Sequence, residues 1–228
     1  MIKRSIKAKS LDNILKLNAH EYNQSFSSFT ILTYILPSLN LGIYNSFKNL
    51  KQLKIHESRI LSNVLDTKIN CPSLIELEIS RCGIESIEPG VFFELINLKK
   101  MEIAGNKLDE IKSNTFKGLS SLRELNFESN RLKSIENGAF QGLDSLVILN
   151  LNFNRIRNLE KGCFRGLEKL EHLELLSLGI RHLESGVFNG LSSLIFLSMT
   201  HTVLKKIDDG SFDDLKKLEH LDIRHTQV

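Results

Sequence analysis

The sequence has no tryptophan and only three cysteines, Cys71, Cys82 and Cys163, in 228 residues. Three scattered thiols are too few for a disulfide framework or a zinc site, and an odd count leaves one unpaired within the chain. Cysteine usage therefore does not fix the compartment, and a Cys71–Cys82 bridge in an oxidising one stays open. No apolar run reaches the ~18 residues of a membrane-spanning helix, so no membrane insertion is expected. Neither sign of charge dominates: 30 basic and 27 acidic residues are interleaved, for a net charge of +3. That balance gives no electrostatic case for nucleic acid or an anionic membrane. The basic start "MIKRSIKAKS" is not followed directly by an apolar run, since "FTILTYIL" begins only at Phe29, late for a signal peptide.

Catalytic signatures are missing too. There is no phosphate loop, no G-x-G-x-x-G, no H-E-x-x-H, no C-x-x-C and no G-x-S-x-G. An enzyme is not expected, and no catalytic residue, cofactor or metal is assigned. With 41% hydrophobic and 25% charged residues, the composition argues against a disordered, collagen-like or mucin-like chain.

What the chain does have is a period of 24 residues. Windows begin at 26, 50, 74, 98, 122, 146, 170 and 194, and a partial one at 218. In the window at Leu122, apolar residues stand at places one, four and six (Leu122, Leu125, Phe127) and again at Leu132, Ile135, Phe140 and Leu143. Each complete window from Leu74 onward fills the same seven places, whereas the window at Leu50 puts Lys68 and Cys71 at two of them. Alternation at places four and six points two side chains to one face of a short strand, leaving places three, five and seven for the other. Asn106, Asn130 and Asn154 stand at place nine, where an amide can bond backbone groups leaving the strand. Cys82 is a weaker substitute there, and Leu178 cannot make such a bond, so its turn is expected to be distorted or water-filled. Gly90, Gly138, Gly162, Gly186 and Gly210 recur at place seventeen, where a tight turn is expected.

This arrangement resembles the leucine-rich repeat family, whose core reads L-x-x-L-x-L-x-x-N/C-x-L. The period and the late phenylalanines Phe92, Phe116, Phe140, Phe164, Phe188 and Phe212 resemble its "typical" subclass, as in Toll-like receptor and Slit proteins. The resemblance implies an α/β solenoid: a horseshoe with a parallel sheet on the concave face and turns, 3-10 or helical segments on the convex side. Residues 1–25 are expected as a non-repeat segment or degenerate cap, with "ILKLN" as an edge strand, and 26–228 as the repeat domain. It also implies an extracellular or cell-surface protein that binds a protein ligand or co-receptor on its concave face. An intracellular scaffold in the cytoplasm is the alternative. Asn23 lies in an N-x-S sequon that accepts glycan only in a secretory protein.

Candidate binding residues are apolar side chains at places that face solvent: Val147, Ile148, Phe153, Leu176, Ile195 and Phe196, with His172, Arg155 and Glu174 nearby. A contiguous apolar patch rimmed by polar groups marks a protein-binding site. A partly acidic row runs along place five and a basic row along place ten, and their opposite charges are expected to offset each other. His201 and His225 share place eight in adjacent windows. Two imidazoles fall short of a zinc site, and a pH-sensitive contact surface is the other use for them.

Overall fold

The computed structural model describes residues 27–32, 35–36 and 49–227. The residues of the expected cap, including "ILKLN" and Asn23, lie outside the described ones. Nine strands form one parallel sheet in chain order: Ser28–Leu32, Gln52–His56, Glu76–Ser80, Lys100–Glu102, Glu124–Asn126, Ile148–Asn150, His172–Glu174, Phe196–Ser198 and His220–Asp222. Each pairs with the next in strict register, so that Leu77 lies beside Met101 and Leu149 beside Leu173. The molecule is a parallel β-solenoid, the leucine-rich-repeat architecture that the period implies. Place four of each window packs inward at 0–1% exposure from Leu53 to Leu197. At the last strand Leu221 is 41% exposed.

Each turn of chain is dry because its neighbours complete its core. Phe116, Phe140, Phe164 and Phe188 are fully buried, and their rings stack at centroid spacings of 6.3, 6.2 and 6.1 Å. Phe212 extends the stack at 5.8 Å from Phe188, and Phe92 is fully buried in the same core. On the convex side the backbone closes tight turns, as where the Leu119 N–H donates to the Phe116 carbonyl at 3.1 Å. Among the described residues the convex side carries turns and no helix. The place-seventeen glycines all have positive φ, 75–81°. A second glycine column went unread in the sequence. At Gly118 (φ 99°) a Cβ would stand 2.3 Å from the Phe93 carbonyl oxygen, so only glycine lets successive convex turns approach.

The irregular window at Leu50 has a local explanation. Arg59 still pairs with Ile35, 24 residues away, yet Val64 pairs with Ser86, only 22 away. The chain bulges after Ile60, exposing Leu61, and runs shorter before Cys71. Leu65 and Ile69 thereby enter the core at 0% exposure while Lys68 stays outside. Core filling overrides strict spacing here.

The turn leaving each strand is built by a residue with left-handed backbone at place eight: φ is 56° at Arg81, 57° at Ser129, 55° at Phe153 and 55° at Ser177. Place nine then carries the expected ladder. Asn130 donates to the Ile103 and Phe127 carbonyls at 2.8 and 3.0 Å and accepts from the Leu108 N–H at 3.2 Å. Asn106 and Asn154 bond equivalently, and the Cys82 thiol donates to the Ile55 carbonyl at 3.4 Å. Leu178 corrects the sequence reading: its turn is neither distorted nor open. Its side chain is 3% exposed, and the Gly179 N–H still donates to the Ile156 carbonyl at 2.8 Å, as Arg155 N–H does to Leu132 at 2.9 Å. Backbone bonds between windows set the turn, and the amide adds to them.

Cys71, Cys82 and Cys163 are all buried thiols, so the Cys71–Cys82 bridge left open above is not formed. Cys163 is 0% exposed. Burial pushes Cys82 up to about 11 and Cys163 up to about 12, from an ordinary 9.0, and Cys71 upward as well. A thiol raised in the fold stabilises it fully below its unfolded value and loses that contribution as pH climbs through its folded value. Unfolding free energy is therefore expected to fall by about 1.4 kcal/mol per pH unit for each of Cys82 and Cys163 from pH 9 up to its folded value, about 11 and about 12. In thiol titration at pH 8, none of the three should react until denaturant is added.

Candidate concave binding face

Because strands pair every 24 residues, each outward place becomes a column of side chains along the sheet. Place three reads Glu76, Lys100, Glu124, Ile148, His172, Phe196 and His220 through consecutive pairings. The column turns from charged to apolar at Ile148. Ile148, His172 and Phe196 are half-buried by their neighbours, and the His172 and Phe196 rings lie 5.9 Å apart. Leucines at place four already fill the core behind them, so stacking the repeats leaves these apolar groups on the solvent side.

The expected contiguous patch is divided. Ile148, His172 and Phe196 form one group, with the half-buried Val147 and Ile195 one residue before the strands. Phe153 and Leu176 form another at the exit of the strands, linked by the Phe153 N–H donating to the Leu176 carbonyl at 2.9 Å. Between them runs a polar strip. The Asn150 amide donates to Glu128 at 3.3 Å, and the nearly buried Asn152 donates to Glu174 at 2.6 Å and accepts from the Leu176 N–H at 2.7 Å. Period-two alternation explains the division, since place five shares the face with place three and is polar in these windows, while at place seven Leu176 stands between Asn152 and Thr200. Arg155 is exposed beyond the strands. Phe153 is 48% exposed at φ 55°, a conformation costly for a bulky side chain.

Toward the N-terminal half the face is acidic and hollow. Glu57, Glu78, Glu102 and Glu128 line a depression of about 320 Å³ with His56, Ser80, Asn126 and one arginine, Arg81. The Ser80 hydroxyl stands 3.2 Å from both the Glu78 and Glu102 carboxylates. Glu78 has Lys54 at 3.3 Å and His56 at 3.1 Å, and Glu57 has Arg81 at 3.1 Å. Among the described residues no basic side chain comes within ion-pair distance of Glu102, Glu128 or Glu174. The basic row does not neutralise them: Lys107 turns to Glu85 at 3.2 Å, and the neighbouring Lys133 to Asp109 at 3.3 Å, both off this face. At the far end Arg224 holds the Asp222 carboxyl down at about 2. The sequence reading caught Glu102 and Glu174 at place five but missed Glu128 and Asn152 at place seven, although the same alternation places them.

His201 and His225 sit with ring centroids 4.4 Å apart, and among the described residues no set of three histidine, cysteine, aspartate or glutamate side chains is grouped to hold a metal. No described helix is long and apolar enough to cross a membrane.

The family model described as "Leucine rich repeat" matches residues 72–132, 121–177 and 176–228. No curated protein matches significantly. Solved structures do, in 370 chains, which marks the architecture as widely used. One of them, the crystal structure of a TLR13–ssRNA13 complex, aligns with 86% of this chain at a TM-score of 0.62 and 21% identity. This chain spans 32% of the length of that one, and at that identity the likeness is one of fold.

Proposed function

Since the chain belongs to the leucine-rich repeat family, we propose that it is a non-catalytic recognition module that binds a protein partner on its concave sheet. The observation that carries this reading is the column Ile148–His172–Phe196. A phenyl ring, an imidazole and a branched side chain occupy sheet places that the core does not need, next to the exposed Phe153. Apolar groups held on a rigid sheet and rimmed by Asn150, Asn152 and Glu174 are suited to a protein surface, because burying them gains apolar area at little ordering cost. The resemblance to Toll-like receptor and Slit proteins supports a cell-surface or extracellular setting. A cytoplasmic scaffold is the second reading, favoured by the buried thiols Cys82 and Cys163.

The test is an array of recombinant extracellular and cytoplasmic protein domains, probed with the wild-type chain and with the I148S/F196S variant. The reading expects wild-type binding that the variant loses. Binding that the variant keeps contradicts it, and the compartment of the bound domains separates the two settings.

A further inference from the structure

The concave face is two-toned along the solenoid, acidic over the windows from Leu74 to Leu122 and carrying apolar groups beside the polar strip over those from Leu146 to Leu194. Glu102 and Glu128 are half-buried carboxylates with no ion pair, since Arg81, the arginine on the same hollow, turns to Glu57 at 3.1 Å, and Ser80 cannot relieve the pair Glu78 and Glu102. A hydroxyl has one proton, so it bonds one carboxylate at a time. Half-buried like charges across a hollow raise the local negative potential, and the sheet beneath them limits solvent screening.

We infer that the partner docks through a cationic, apolar polypeptide segment, with its lysine or arginine side chains over Glu102 and Glu128 and its apolar side chains against Ile148 and Phe196. The inference rests on the concave-face reading above and adds the chemistry and direction of the occupant. Charge complementarity selects it. The hollow of about 320 Å³ accommodates a guanidinium or ammonium group, and Glu102, Asn126 and Glu128 on its wall supply oxygen acceptors. The same carboxylates disfavour a nucleic acid on this face, because phosphates would meet unneutralised negative charge where such binding needs lysine and arginine. They also disfavour an acidic peptide.

The probe is a random dodecapeptide library displayed on phage and selected on the immobilised full chain at 0.15 M NaCl, with a single-stranded RNA oligonucleotide as a parallel ligand. Selected peptides are expected to combine lysine or arginine with leucine, isoleucine or phenylalanine. The E102Q/E128Q variant, which keeps shape and hydrogen bonds, should bind them at least about tenfold more weakly, and raising the salt should narrow the gap. Enrichment of acidic or uncharged peptides, recovery of no peptide, RNA binding that depends on this face, or equal affinity for E102Q/E128Q would each overturn the inference. The concave-face reading fails separately, if selected peptides bind I148S/F196S as tightly as the wild type.

Discussion

Asn130→Ala should cost the fold about 3–5 kcal/mol, enough to consume a large part of the stability of an ordinary domain. The amide is 5% exposed and joins two windows, donating to the Ile103 and Phe127 carbonyls and accepting from the Leu108 N–H. Alanine removes all of these at once and leaves buried backbone groups without that partner, at about 1–3 kcal/mol each. Asn130→Leu loses the same bonds but fills the space, as Leu178 does in its own window with its turn intact, so it should cost somewhat less. In a solenoid each repeat leans on the next, so damage at the middle should broaden unfolding into separate halves. Chemical denaturation followed by circular dichroism checks the size and shape of the transition. A loss under about 1 kcal/mol for alanine would show that the ladder is ornament to the backbone bonds.

On the binding side, I148S/F196S should weaken a concave-face partner at least about a hundredfold, because well-packed apolar anchors carry about 2 kcal/mol or more each. The same pair should leave the melting midpoint within a few degrees of wild type. Both side chains are half-buried on the sheet's outer face, where substitutions cost about 0.5–1 kcal/mol, against the larger penalties of the filled core behind. Phe153→Gly sharpens the contrast. It removes a half-exposed ring while relieving a left-handed backbone, a conformation that costs a side chain about 1–2 kcal/mol and that Gly105 adopts at the same place. Stability should hold or rise while affinity falls. Calorimetry paired with binding isotherms reads both quantities on one preparation.

These expectations also show what the sequence made legible. Positions such as Leu125, Phe140 and Asn130 were readable because burial demands one residue type at a fixed spacing, and the strands obey that spacing in register. The bulge after Ile60 was not, because an insertion and a compensating shortening cancel over one window and leave the period intact. Leu178 misled for a related reason: side-chain chemistry suggested a broken turn, whereas inter-window backbone bonds hold it. On the candidate face, Ile148, His172 and Phe196 come together as the period requires. The separation of Phe153 and Leu176 from them needed Asn150 and Glu174 at place five, and Asn152 at place seven, to be read as occupants of the same surface. Which cations pair with which carboxylates was out of reach, since long side chains such as Lys107 choose their neighbours only in three dimensions.

The measurement that bears most directly on the recognition surface is hydrogen–deuterium exchange of the chain alone and with a protein domain or selected peptide that binds it. New protection should fall on peptides covering Ile148–Asn150, His172–Glu174 and Phe196–Ser198 and the turns that leave them. Protection confined to the convex turns around Phe116 and Gly142, with these strands unchanged, would place the partner on the other side of the solenoid and contradict the account.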